Sequence, residues 1–230
     1  MINKNKQVST PPYRHNAFTL AEVLITLVII GVIAAITIPT MMNSKNNEEL
    51  RAGLLKAQST LAGALEMYYA KNGERITPST LGSHELKTKI LPYISTAKDC
   101  GLSSCVSSTN ASEIYKTLNN ESLNAYYIDD GQFIMNDSMF VFIENSGANN
   151  GNLVFMAVDV NGFKKKPNKA GHDLFMFELN SKGNLIPMGT RGSYMSDQTT
   201  YCSMTSSHKL NGLGCTAKAL ADPNYFKNLH

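Results

Sequence analysis

The sequence predicts an α+β fold: one long N-terminal helix in two chemically different halves, followed by a small antiparallel sheet. Three observations predict it. No charged residue occurs from Val23 to Met42, a run about as long as the twenty residues a helix needs to cross a bilayer. Leu50, Leu54, Ala57, Leu61, Leu65 and Tyr68 then recur at spacings of three and four, the period of an amphipathic helix. From Tyr126 onward the apolar residues instead form short β-branched or aromatic runs separated by turn-forming residues.

With 230 residues, the chain has room for one good core plus an appendage. Its formal net charge is +3, but Lys4, Lys6 and Arg14 all precede the apolar run and no acid does. Setting those three aside leaves basic residues equal in number to the 18 acidic ones. A neutral remainder argues against a phosphate-binding surface, and the dense cluster Lys164, Lys165 and Lys166 reads as a solvated turn. No nucleic-acid partner is expected.

Taken in order, residues 1–17 are polar, contain Pro11-Pro12 and carry only positive charge. They read as a cytoplasmic, unstructured leader under the positive-inside tendency. Residues 18–42 read as the membrane-spanning helix, in which Gly31 and Pro39 are tolerable because neighbouring helices re-satisfy the backbone. After the polar patch Asn43 to Asn47 the amphipathic half runs to Asn72-Gly73, a C-terminal stop. If the halves are continuous, residues 18–72 form a helix of roughly 80 Å at about 1.5 Å per residue.

Residues 43–230 form an extracytoplasmic head. Ser83 to Leu91 reads as a short helix ending before Pro92, and Cys100 to Asn110 as Ser-rich loop. Tyr126 to Ile128, Gln132 to Met135, Met139 to Ile143, Leu153 to Val160 and Leu174 to Leu179 read as strands. Asp130-Gly131, Asn136 to Ser138, Gly147 to Gly151, Asn161-Gly162 and Lys182-Gly183 separate them as turn signals. An antiparallel sheet of about four strands, laid on the amphipathic half of the helix, follows. Thr190 to His230 reads as loop with one short helix near Cys215 to Ala221.

The four cysteines fall into two local pairs, Cys100/Cys105 and Cys202/Cys215. Local pairing is the simplest of the three possible connectivities, and the spacings fit neither a CxxC redox pair nor a four-ligand zinc site. Structural disulfides in an oxidising compartment are the favoured reading over buried free thiols, which places the bulk of the chain outside the cytoplasm.

Glu22 is the one ionisable side chain in the apolar stretch "AFTLAEVLITLVIIGVIAAITIP". A carboxylate at the centre of a membrane helix costs roughly 2.5 to 3.5 kcal/mol on insertion scales. Near the end of the run the cost is smaller, but a partner is still wanted. The string Ala17-Phe18-Thr19-Leu20-Ala21-Glu22-Val23-Leu24-Ile25, with Gly31 and Pro39 further on, resembles the N-terminal signature of type IV prepilins and type II secretion pseudopilins.

That resemblance implies cleavage by prepilin peptidase between Ala17 and Phe18, N-methylation of Phe18, retention of Glu22 as the acidic fifth residue of the mature chain, and a kink at Pro39. The family usually has Gly before the cut, where Ala17 stands here. The new amine, with a pKa near 8, would lie four residues ahead of Glu22. In a neighbouring copy it would pair with that carboxylate in low dielectric and fix the register of assembly. The resemblance further implies a pilin-like fold whose helix 18–42 becomes a filament core, and a structural subunit of a secretion pseudopilus or pilus. Its partners would be the peptidase, other pilin or pseudopilin subunits, and the inner membrane. Alternatives for the stretch are a secretory signal cut after Ile33-Ala34-Ala35, which leaves Glu22 unexplained, and a simple single-span anchor. The alternative function is a minor or tip subunit whose head captures a ligand.

Within "VDVNGFKKKPNKAGHDLFMFEL", residues 158–179, Asp159, Asn161, Asn168 and Asp173 supply some of the oxygens a calcium ion needs. The stretch is similar to a strand, loop and strand in pilin-like proteins, where acidic loops bind calcium. Gly162 comes too early for an EF-hand loop, Phe163 takes an oxygen position, and three adjacent lysines oppose a divalent cation. A metal-free connection and no cofactor are therefore expected. Near Cys215, Gly212 and Gly214 read as the means of a tight turn into a disulfide rather than as an anion site. The five histidines, His15, His84, His172, His208 and His230, are scattered, no GxSxG, P-loop or HExxH string occurs, and no enzymatic role is expected. His172 and Asp173 are adjacent, so on a strand they would face opposite ways.

Overall fold

The computed structural model describes residues 18–147 and 151–229. The leader 1–17, with Ala17 of the expected cleavage pair, lies outside the described residues, as do positions 148–150 within the expected Gly147 to Gly151 turn. The chain forms two compact units, the first ending at Asn43 and the second beginning at Ser44.

Helix α1 (Leu20–Asn72) runs through both. In the first unit its stretch Leu20–Pro39 is long and apolar enough to cross a membrane, and none of it is buried inside the protein. In the second unit Leu50, Leu54, Ala57, Leu61, Ala64 and Leu65 are buried, the stripe that the three-and-four spacing dictates. The helix stops where expected: Gly73 has φ +74° and its N–H donates to the Tyr69 carbonyl at 2.8 Å, a left-handed cap that glycine adopts without a Cβ penalty.

The sheet is a meander of six strands, all antiparallel: β1 (Thr96–Asp99), β2 (Gly131–Met135), β3 (Phe140–Glu144), β4 (Phe155–Asp159), β5 (Leu174–Leu179) and β6 (Leu185–Pro187). The four central expectations fall on β2 to β5. Tyr126 to Ile128 is not a strand: Ala125–Tyr127 is a 3₁₀ turn, opened by the Asn124 side chain accepting from the Tyr126 N–H at 3.1 Å. Helices α2 (Glu85–Ile90), α3 (Ser108–Ile114), α4 (Gln198–Tyr201) and α5 (Thr216–Ala221) complete the head. Of these, α2 and α5 lie where the sequence places short helices. α3 arises from the Ser-rich stretch because the Ser107 hydroxyl accepts from the Asn110 N–H, and α4 because Asp197 caps it in the same way.

The sheet buries both faces, whereas a sheet laid on the helix alone would bury one. Phe133, Val141, Ile143, Met156, Val158, Phe175 and Phe177 share one core with Leu54, Leu61 and Leu65 of α1. The alternate residues Phe140, Phe142, Phe155, Ala157, Leu174 and Met176 form a second core with Tyr115, Leu123, Met188, Met195, Leu210 and Leu213. Residues 100–128 and 188–215 thus supply a third layer of loops and short helical turns, α3 and α4 among them. The physical reason is visible in β3 (FVFIE) and β4 (FMAVD), which are buried at every position: strands with no polar face demand a cover on each side.

Two disulfides staple the head: Cys100–Cys105 lies with the outer core and Cys202–Cys215 with the core shared with α1, and no free cysteine remains. Gly212, with φ +105°, carries the chain into the second bridge, and a Cβ there would collide with the Ala170 backbone.

Candidate functional site

Two sites concentrate chemistry, the N-terminal turn of α1 and the connection between β4 and β5. At the first, Thr19 precedes the helix and Glu22 is its third residue. The Thr19 N–H and the Thr19 hydroxyl each donate to Glu22 Oε2 at 2.8 Å, and the Glu22 N–H donates back to Thr19 Oγ1 at 3.2 Å. This is a reciprocal capping box, which satisfies helix-start donors that otherwise lack partners. The sequence reading passes over Thr19, although T-x-x-E ahead of an apolar run is the signal for such a box. Both donors use Oε2, so Oε1 makes no hydrogen bond among the described residues. Phe18 is 84% exposed, and the side chains that follow it along the apolar run, Leu20, Leu24, Ile25 and Val28 among them, are exposed too.

At the second site the fold gathers Asp159, Asn161, Asn168 and Asp173, the last joined by His172 in a turn rather than on a strand. Asp159 Oδ1 accepts from the N–H groups of Gly162 at 2.8 Å and Asn161 at 3.3 Å, while Tyr115 Oη donates to Asp159 Oδ2 at 2.7 Å. Asp173 accepts from the N–H groups of Asn168 at 2.8 Å and Lys169 at 2.5 Å. The two carboxylates therefore clasp the two ends of the 161–169 loop. Gly162 (φ +81°) lets the loop leave β4, since a Cβ there would lie 2.5 Å from the Ser138 carbonyl oxygen. Five donors of the chain itself occupy the carboxylate oxygens, which is a set closed by N–H and O–H groups. Asn161 Oδ1 and Asn168 Oδ1 are buried without a hydrogen bond among the described residues. Tyr115, 44 residues from Asp159 in sequence, is a member that no local pattern announces.

Electrostatics of the clasp follow from burial. Desolvation first, and Asp173 second, push the Asp159 carboxyl up to about 7 against the downward pull of its hydrogen bonds. Desolvation likewise raises Asp173 and lowers His172 to about 4, with Lys169 adding to the effect. An unfolded Asp titrates near 3.9, so between about pH 4 and pH 7 the native Asp159 holds its proton more tightly than the unfolded chain does. Stability contributed by this group is complete below that window and lost as pH rises through it. His172, held below its ordinary value, contributes the opposite slope over much of the same range, so the thermal midpoint of Asp159→Asn followed against pH is expected to rise relative to that of the wild type across the window. An identical slope in both proteins would remove Asp159 as its source.

A second acidic group, unannounced in the sequence, joins Asp129, Asp130 and Glu144, whose nearest ligand atoms lie within 4.8 Å of one another. The Ser146 hydroxyl lies 2.7 Å from both Asp130 Oδ2 and Glu144 Oε1, and the Asn145 N–H donates to Asp130 at 2.7 Å. Asn145 in turn accepts from the Leu86 N–H through its side chain and from the His84 N–H through its carbonyl. The group thereby ties the start of α2 to the end of β3.

Comparison with known proteins agrees with the first site. The family described as the prokaryotic N-terminal methylation motif matches residues 13–38. Type II secretion system core protein G of Pectobacterium carotovorum subsp. carotovorum is 34% identical over 77 residues, 34% of this chain and 48% of that protein. The protein of the same name from Klebsiella pneumoniae is 36% identical over 59 residues, 26% of this chain and 41% of its own length. The chain spans about half the length of the curated relatives it matches. No solved structure matches it. An exposed apolar helix, a lone carboxylate in its first turn and the family match converge: residues 13–38 match the prokaryotic N-terminal methylation motif, in a chain similar in part to type II secretion system core protein G.

Proposed function

We propose that the protein is a structural filament subunit, cut by prepilin peptidase between Ala17 and Phe18, methylated on Phe18 and assembled into a type II secretion pseudopilus or a type IV pilus. Before assembly it sits in the inner membrane as a single span, with the head of residues 43–230 outside the cytoplasm and residues 18–42 destined for the filament core. The observation that carries this reading is the carboxylate of Glu22 on an otherwise uncharged, exposed helix turn. Its Oε2 is held by Thr19, and its Oε1 is left to receive the amine of a neighbouring Phe18. Mass spectrometry of the mature N-terminus tests it: a chain beginning at N-methyl-Phe18 is expected, and one beginning at Met1 or Ile36 overturns it.

The head is read as non-enzymatic and metal-free. Clasping of Asp159 and Asp173 by the loop's own donors supports the second point, and a chelator is expected to leave the thermal midpoint unchanged. A lowered midpoint would instead point to a bound cation, at the amide oxygens of Asn161 and Asn168 or at the acidic group of Asp129, Asp130 and Glu144. One observation favours a minor, ligand-capturing subunit as second reading. A wide-open surface depression of about 770 Å³ is lined by polar side chains and an aromatic ring, among them Asn124, Tyr127, Thr199, Thr205, Ser207 and Lys209. Counting subunits in purified filaments separates the two, since a repeated subunit is abundant and a tip subunit rare.

A further inference from the structure

The lysine run is the feature that the filament reading leaves unused. Lys164, Lys165 and Lys166 are all exposed, and none forms an ion pair among the described residues. The two acids that share a cleft with Lys165 and Lys166 are already engaged. Asp137 pairs with Lys56 at 2.8 Å and Glu49 with Lys45 at 3.7 Å, so the charge of the triad is left over. Its backbone is fixed: the Lys165 N–H donates to the Gly162 carbonyl at 2.8 Å, and the Asp159 and Asp173 clasp holds both flanks of the loop. A loop already ordered loses little freedom when it meets a partner.

Its location follows from chain connectivity. Lys165 and Lys166 line a cleft of about 590 Å³ together with Asn46 and Glu49. Asn46 stands four residues beyond Met42, where the uncharged run ends, and both lie in α1, in which four residues rise about 6 Å. A bilayer that holds residues 23–42 therefore has its headgroup surface close to this cleft. Where the leaflet on the head's side carries anionic lipids, lysines without an ion pair among the described residues meet a potential that decays over about 8 Å at physiological ionic strength.

We propose that Lys164, Lys165 and Lys166 form a docking surface for anionic phospholipid headgroups, which holds the head against the membrane before the subunit enters a filament. The inference rests on the membrane-anchored reading above. Each lysine near an anionic surface contributes roughly fivefold to such an equilibrium.

The test uses the full chain in nanodiscs of phosphatidylcholine alone or of phosphatidylcholine mixed with phosphatidylglycerol. Modification of individual lysines by an amine-reactive reagent is read by mass spectrometry, with the exposed Lys182 as internal reference. Modification of the triad is expected to slow at least about tenfold on the anionic discs and to recover in high salt, with Lys182 unchanged. Equal rates on both discs overturn the proposal. So does protection by added duplex DNA on neutral discs without protection by phosphatidylglycerol, which assigns the patch to nucleic acid. A chain that enters neither disc sinks the membrane-anchored reading instead, a failure distinct from equal rates.

Discussion

Glu22→Gln is expected to lower filament yield by at least a hundredfold while leaving membrane insertion intact. Glutamine keeps an oxygen acceptor for the Thr19 N–H, so the capping box that Glu22 forms with Thr19 survives in part. What it removes is the negative charge. On the filament reading proposed above, this would leave the amine of a neighbouring Phe18 buried without a counter-ion, and breaking a buried pair from one side costs about 3 to 5 kcal/mol. About 2.8 kcal/mol is already a hundredfold in an equilibrium constant.

Thr19→Ala is the necessary comparison, because it deletes the hydroxyl half of the box and spares the charge. A lost cap costs about 1 kcal/mol, so this variant is expected to assemble within several-fold of wild type. Sheared filaments quantified by immunoblot, beside the membrane fraction, read both. Wild-type yield from Glu22→Gln would discard the amine–carboxylate account. Equal failure of the two variants would shift the explanation to helix capping alone.

Replacing Cys202 and Cys215 together by serine is expected to destabilise the head by about 3 kcal/mol, against about 2 kcal/mol for the Cys100 and Cys105 pair. The difference comes from the closed loops, which span 13 and 5 residues, since a longer cross-linked loop removes more entropy from the unfolded chain. The longer loop also supplies Leu210 and Leu213 to the core over the outer face of the sheet, so its release exposes Phe140 and Phe142 as well. Urea unfolding midpoints with and without reductant measure both pairs. Equal losses from the two would mean that loop length does not set the effect.

The parts legible in the sequence are those with a period. Leu50 to Leu65 announce the buried face of α1 by spacing alone, and β2 to β5 are apolar runs bounded by turn residues. β1, with the sequence TAKD, and β6, with LIP, are short edge strands. They become strands only because β2 and β5 offer them a free edge, which no local pattern encodes. Tyr126 to Ile128 has strand composition, yet one Asn124 hydrogen bond commits it to a turn. The outer core was hidden for a related reason: Tyr115, Leu123, Met188 and Leu213 come from segments without periodicity, and their burial is decided by the sheet they cover. At the N-terminus, Phe18 and Glu22 were legible as chemistry and Thr19 as spacing. At the clasp, four of the polar residues could be found in one stretch, whereas Tyr115 arrives from across the fold.

The loop-built third layer also bears on how the head can change. A strand that swaps one residue disturbs its neighbours through the ladder, but a loop held by a disulfide and a few buried anchors leaves its outward side chains free of such obligations. Met204, Ser207 and Lys209, between the Cys202 staple and the buried Leu210, can therefore be rewritten at small cost to the sheet, whereas Ser203, Thr205, Ser206 and His208 hold the loop's own hydrogen bonds. The head thus separates a scaffold fixed by packing from a surface on which new specificity can be drafted residue by residue.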